Sequence, residues 1–156
     1  MCAVLVFAGL CLAQAAEPSS AAPLSFREFF EPSPQDLKPS ARLLSLNGRR
    51  VRLVGYMAQM DEPPEGGFYL CSAPVLASEG GGGTGDLPPD AVWVVVRSAR
   101  GKQLAHIRRP LEVTGVLDLG SQVDEAGRVS MIRILLDGPS SVISGAGDQP
   151  TPRHTR

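Results

Sequence analysis

The fold is decided by the stretch Gly48-Arg-Arg-Val-Arg-Leu-Val-Gly-Tyr-Met-Ala-Gln-Met60, which alternates polar and apolar residues like a half-buried β-strand. Gly55 stands in its middle, where an uninterrupted strand would carry a side chain, and this predicts a strand that bends. The stretch Leu111-Glu-Val-Thr-Gly-Val-Leu-Asp-Leu119 repeats the alternation, with Gly115 at its centre. Two bending strands of this kind favour a small closed barrel.

Further strands are predicted where β-branched or aromatic runs are bounded by turns rich in Gly and Pro: 67–71, 91–97 and 128–136. Before the first strand, Ser25 and Glu28 have the spacing of a capping box for a short helix over 26–30, and a second helix is predicted over 38–46. These elements predict a mainly all-β domain, a five-stranded Greek-key barrel like the oligonucleotide/oligosaccharide-binding (OB) fold, with short N-terminal helices.

Composition bounds the possible functions. The chain has 156 residues, enough for one modest domain with a single core. Its 15 basic and 16 acidic residues are interspersed, with a formal net charge of -1, so bulk electrostatics give no reason to expect nucleic acid or an anionic membrane surface as partner. The 17 Gly and 14 Pro favour turns and loose termini over long helices.

The first residues have the pattern of a secretory signal peptide. Residues 1–16 carry no charged side chain and end in Ala13-Gln-Ala15, small residues at the positions a signal peptidase inspects. We therefore predict cleavage after Ala15 and an exported protein, periplasmic or secreted. Lipoprotein anchoring through Cys11 is disfavoured, because Leu10 is large where a small residue is expected. Residues 17–23 are predicted to be a flexible tether, 24–137 the domain, and 138–156 a disordered tail.

Reactive side chains are few. Cleavage after Ala15 leaves Cys71 as the only cysteine, which excludes an internal disulfide; its apolar surroundings predict a buried, inert thiol. A Cys71–His106 nucleophilic pair would need the two to meet in the fold. His106 and His154 are far apart in sequence and the carboxylates lie in turns, so we expect no metal site and no cofactor.

From about Phe26 to Asp137 the chain resembles a group of small exported bacterial proteins with a single OB-like barrel. The resemblance rests on Gly-x-x-Val-x-Leu-x-Gly-Tyr-Met at 48–57, Phe-x-Leu at 68–70, a Pro-Pro segment leading into the third strand at 88–96, and Gly-x-Val-Ser-x-Ile-Arg at 127–133. It implies a fold and an exported location. Some members carry a Cys or His cluster in the loop after the second strand, but this chain has neither in 72–86, so no metal or redox role is implied.

Alternation predicts one candidate binding face. Aromatic and cationic side chains on the outer side of the strands could share it, and such residues anchor contacts with proteins, peptides and glycans. An OB fold binds single-stranded nucleic acid by stacking bases on aromatic residues, but the low aromatic content of 5% and the slightly negative charge make this the weaker interpretation. The candidate residues are Arg52, Tyr56, Tyr69, Trp93, Arg97 and Arg133.

Taken together, the sequence predicts a non-enzymatic binding or assembly module of the cell envelope, with an envelope protein, peptide or glycan as partner and no transmembrane span after cleavage. Two alternatives are an envelope enzyme or redox or metal protein using Cys71, and a binder of single-stranded nucleic acid or oligosaccharide.

Overall fold

The computed structural model describes residues 20–32, 36–77, 85–125 and 127–136, together with the backbone of 142–145. The predicted signal peptide with its cleavage site at Ala15, most of the glycine-rich loop, and most of the tail with His154 lie outside these residues.

Strands dominate the described part of the chain, as predicted, and helix is scarce. A single-turn α-helix, α1 (Ala41–Ser45), and the 3-10 turns Phe26–Glu28 and Arg97–Ala99 accompany them. The strands are β1 (Ala22–Leu24), β2 (Arg50–Met57), β3 (Gln59–Met60), β4 (Gly67–Cys71), β5 (Leu76–Ala77), β6 (Val92–Val95), β7 (Leu111–Val123), β8 (Val129–Leu135) and β9 (Val142–Gly145).

The pairing of five of the strands closes on itself. From β2 the order runs through β4, β6, β8 and β7 and returns to β2; the β6–β8 pair is parallel and the others are antiparallel. These are the five strands predicted from the sequence. In addition, β1 lies parallel to β2, β9 lies antiparallel to β7, and β3 and β5 form a separate two-stranded parallel sheet.

Gly55 marks the point where β2 changes partner. Residues 50–55 of β2 pair with β7, whereas Tyr56 and Met57 pair with β4. A Cβ atom on Gly55 would lie 2.6 Å from the carbonyl oxygen of Cys71, so the approach of β4 leaves no room for a side chain. Gly115 is crowded in the same way by the carbonyl oxygen of Leu135. Both glycines therefore permit close contact between strands at the predicted positions.

The main core fills the inside of the ring. Along β2 Val51, Leu53 and Met57 are buried while Arg50, Arg52 and Val54 are exposed, which is the pattern expected of a half-buried strand. They pack with Leu70 of β4, Val94 of β6, Leu117 of β7 and Ile134 of β8. A second, smaller apolar cluster lies on the outer side of β4 and β6, formed by Ala58, Tyr69, Cys71 and Trp93.

The N-terminal segment differs in part from the prediction. Both short helices are present, with the Glu28 carboxylate accepting from the Ser25 N–H at 2.8 Å and Ser40 capping α1 through the Leu43 N–H. However, Ala22 and Pro23, which we assigned to the tether, lie in β1 because they pair with β2. Likewise β9 falls within the predicted disordered tail, since it pairs with β7.

In the part of the chain that the structure describes, no helix has the length and apolar character needed to cross a membrane.

Candidate functional site

A row of four side chains crosses the outer face of four neighbouring strands. Tyr69 of β4 is paired with Trp93 of β6, Trp93 with Arg133 of β8, and Arg133 with Asp118 of β7. Residues opposite one another on adjacent strands present their side chains on the same face. The pairing therefore joins two aromatic rings and an ion pair in one continuous row.

The aromatic end of this row is covered by the protein itself. The rings of Tyr69 and Trp93 are 4.9 Å apart, and the Arg128 guanidinium lies 4.6 Å from the centre of the Trp93 ring on which it stacks. Only 7% of Trp93 is exposed. Burial raises the pKa of the Tyr69 hydroxyl, while the positive charge of Arg128 lowers it and the negative charge of Asp124 raises it further.

Arg128 is held over Trp93 by the tip of the hairpin between β7 and β8. Its Nε is 2.7 Å from the Asp124 carboxylate, which also accepts the Arg128 backbone N–H at 2.9 Å. Its Nη2 donates to the carbonyl oxygen of Glu65, in the connection between β3 and β4, at 3.3 Å. Farther out, Arg100 and Glu125 form an exposed ion pair. The hairpin tip is thus fastened to two neighbouring segments.

Arg133 is the buried cation of the site, with 3% of its surface exposed. Its Nε donates to Asp118 Oδ2 at 2.8 Å, and its Nη1 donates to the carbonyl oxygens of Gly120 and Ser130 and to the Ser130 hydroxyl. These bonds hold the irregularity in β7 between Leu119 and Gln122, where the hairpin departs from regular pairing. Nη2 is buried and has no hydrogen-bond partner among the described residues.

These groups line a cleft of about 690 Å³. Its floor is the outer face of β6 and β8, one wall is the hairpin tip, and the other wall is the segment from Val96 to Gly101. Backbone bonds fix that second wall, since the Val96 N–H donates to the Gly66 carbonyl and the Gly66 N–H to the Lys102 carbonyl. The lining includes four arginines, three carboxylates and an apolar strip: Arg97, Arg100, Arg128, Arg133, Glu65, Asp124, Glu125, Trp93, Val95, Val96 and Leu135.

The structure brings some of the predicted face together and separates the rest. Trp93, Arg97 and Arg133 line the cleft. Tyr69 lies beneath its aromatic end, whereas Arg52 is exposed elsewhere on β2 and Tyr56 lines a second pocket of about 360 Å³ beside His106. The six residues therefore do not form one surface.

Three of the candidate residues are less exposed than a position on the outer side of a strand suggests. Tyr69, Trp93 and Arg133 are all buried. The aromatic residues are covered by additional chain on the outer face. Met60 of β3 and the apolar residues Val75 and Leu87 of connecting segments pack on the second apolar cluster, and Arg128 of the hairpin lies over Trp93.

Sequence reasoning missed the hairpin residues Asp124 and Arg128. We ended the fourth strand at Leu119, but β7 continues to Val123 and carries the turn beyond the body of the ring. No local pattern signals this extension, because residues 120–123 are all exposed and show no alternation of buried and exposed positions.

The Cys71 thiol lies in the second apolar cluster, and burial together with the charge of Asp90 raises its pKa to about 12. This supports the predicted inert thiol, because the thiolate is the reactive form. The Nε2 atom of His106 lies 3.1 Å from the carbonyl oxygen of Met57. Within the described ranges, no group of three or more His, Cys, Asp or Glu side chains is placed to hold a metal ion.

No family model matches the chain, and no curated protein matches it. Among solved structures, it is similar to the crystal structure of a DUF3299 family protein from Pseudomonas aeruginosa PAO1, with a TM-score of 0.45 and 15% identity over 76% of this chain and 93% of that one. A likeness of this size carries no conclusion about function.

Proposed function

We propose that this protein is a non-enzymatic binding module built on an OB-type barrel, and that the cleft over β6 and β8 is its binding site. The closed strand order, with its parallel β6–β8 pair, supports the barrel. OB folds bind ligands on the face of their second and third strands and on the loop between their fourth and fifth. The corresponding parts here are β4, β6 and the β7–β8 hairpin.

The single observation that carries this proposal is the composition of the cleft. An apolar floor with Trp93 is joined to arginines held by ion pairs and backbone bonds, as in binding sites that combine an apolar surface with a few fixed polar groups. Single-stranded nucleic acid is disfavoured as the ligand, because Arg128 already occupies the Trp93 ring on which a base would stack and three carboxylates share the lining. The high pKa of Cys71 disfavours thiol chemistry.

Binding at this cleft can be tested by protein-detected NMR with a set of small fragments, neutral and charged. We expect shifts to cluster on the Trp93 indole and the Gly66 and Gly101 amides. The second pocket serves as the internal comparison, reported by Gln59, Leu76 and His106. Shifts confined to that pocket, or absent from both, would contradict the proposal.

We further propose that the module acts outside the cytoplasm, because residues 1–16 have the pattern of a signal peptide. Expression of the full chain in a Gram-negative host, followed by fractionation and intact-mass measurement, tests this. We expect a periplasmic product beginning at Ala16. An Ala13→Leu, Ala15→Leu variant should retain the leader, and cytoplasmic accumulation of the uncleaved wild type would refute export.

A further inference from the structure

We infer that the cleft binds a carboxylate carried on an apolar body, with Nη2 of Arg133 as the donor to one carboxylate oxygen. This inference rests on the proposed function, since it names the ligand class of the same cleft.

The first step is the unpartnered donor. Nε and Nη1 of Arg133 are used by Asp118, Gly120 and Ser130, so the only free capacity of the guanidinium is on Nη2. A buried donor on a charged group is costly when it has no acceptor, and native proteins seldom leave one unmatched. An oxygen atom supplied by a ligand in the cleft would remove this cost.

The second step is the geometry of recognition. Because Nε and Nη1 are already used, Arg133 cannot grip a ligand through two nitrogens, and a ligand oxygen can bond only to Nη2, which carries two N–H groups. Arg97 stands on the opposite wall, exposed and without an ion-pair partner among the described residues, and can face the same anion.

The third step is the amount of charge. The cleft lining contains four arginines against three carboxylates, and Asp118 beside Arg133 brings the two numbers level. Because the site has no net charge, a chain of phosphates is disfavoured, since it calls for a clear excess of cations. A single negative charge is held instead by the local donors of Arg133 and Arg97. The apolar strip of Val95, Val96 and Leu135 then provides contact for an apolar body next to the charged group.

Access to Nη2 requires movement of a neighbouring side chain, because the atom is shielded from solvent. Trp93, the only tryptophan of the chain, is paired with Arg133 across β6 and β8 and therefore reports on such a movement.

The test compares matched probes on the chain from Ala16 to Arg156, and binding is followed by Trp93 fluorescence and NMR shifts. Phenylacetate is titrated against phenylacetamide, which has the same shape without the charge. An N-acetylated Ala-Phe dipeptide is titrated as its free acid and as its amide, which distinguishes a peptide C-terminus from a small organic acid. We expect each acid to bind about tenfold or more tightly than its amide, as one charge-assisted hydrogen bond predicts.

Three variants locate the effect. Arg97→Gln should weaken acid binding by about fivefold and leave amide binding unchanged, while Arg52→Gln, the same change on exposed β2, should alter neither. Arg133→Lys keeps the charge but not the guanidinium geometry and should reduce the preference for the acid. Because Arg133 is buried, the thermal unfolding of the Arg133→Lys variant is measured in parallel. If this variant does not fold, the effect of Arg97→Gln on acid binding tests the inference.

The outcomes separate the inference from the proposed function. If acid and amide probes bind the cleft equally well, the carboxylate site is overturned, and an ordered water would be the partner of Nη2. The proposed binding module would remain intact. A failure of every fragment and probe to perturb the cleft would overturn both.

Discussion

Arg133 and Asp118 lie opposite one another on β8 and β7, with Nε and Oδ2 2.8 Å apart, and they join the body of the ring to the hairpin that extends from it. The arginine is buried, but Asp118 keeps 30% of its side chain exposed. The pair neutralises a cation that would otherwise be isolated beneath the cleft.

Removing both members of this pair should therefore cost less than the sum of the two separate removals. We expect Asp118→Ala to lower the free energy of unfolding by about 2 to 3 kcal/mol, because it leaves a buried guanidinium without its counter-charge. In the double variant with Arg133→Met the loss should be smaller than the sum of the single losses, by about 1 kcal/mol or more. Urea denaturation of the four proteins in this cycle measures the coupling, and strictly additive losses would show that the pair contributes nothing.

The contact of Arg128 with Trp93 should control the exposure of the indole. We expect Arg128→Gln to shift Trp93 emission to longer wavelength and to increase its quenching by acrylamide, because the ring loses its cover. The cost in stability should be about 0.5 to 1 kcal/mol, as for a partly exposed cation–π contact. Arg52→Gln is the control with the same loss of charge, and an unchanged emission spectrum in Arg128→Gln would contradict the stacking.

Gly55 should not tolerate even one methyl group. We expect Gly55→Ala to destabilise the protein by about 2 to 3 kcal/mol, since the new Cβ would meet backbone as well as side chains of β4. The neighbouring exposed residue provides the control: Val54→Ala should change stability by about 0.5 kcal/mol or less. Thermal and urea unfolding of both variants measure these losses. A Gly55→Ala protein of wild-type stability would show that β4 can move away from β2 without cost.

Cys71 should make the stability of the protein fall at high pH. Its folded pKa is raised from 9.0 to about 12, so above pH 9 the unfolded chain loses the thiol proton while the folded chain retains it. Unfolding is thereby favoured, by about 1.4 kcal/mol for each pH unit until the folded group also titrates. The stability difference between wild type and Cys71→Ala, measured from pH 8 to 10.5, isolates this thiol and should shrink as the pH rises.

A thiol reagent gives an independent check on Cys71. At pH 8 the native protein should react only as fast as it unfolds, whereas the urea-unfolded chain should react at once. Rapid labelling of the native protein would show that the thiol is accessible. A stability difference between wild type and Cys71→Ala that does not change with pH would show that the pKa of Cys71 is not raised.

Local patterns in the sequence were sufficient for much of the fold. The alternation along 50–57 identified which side chains enter the core. This follows from the two-residue period of a strand, which needs no knowledge of its neighbours. The short helices followed in the same way, from capping residues at fixed offsets such as Ser25 and Glu28. The central glycines were predicted to bend their strands, and only the structure showed that Gly55 and Gly115 lie where a neighbouring strand approaches closely.

The candidate site was predictable only in part. Sequence alternation identified Trp93 and Arg133 as outward residues, but it grouped them with Arg52 and Tyr56, which lie elsewhere. Alternation says only that residues are on the outer side of their strands. On a closed ring the outer side faces every direction, and strand order decides which residues are neighbours.

The sequence by itself determined the five strands of the ring and the alternation of their faces, because these depend on residues close together in the chain. Only the tertiary structure decided that Tyr69, Trp93, Arg133 and Asp118 form one row, that the hairpin places Arg128 on Trp93, and that Nη2 of Arg133 is left without a partner. Each of these depends on contacts between segments distant in sequence, for which a single chain carries no local signal.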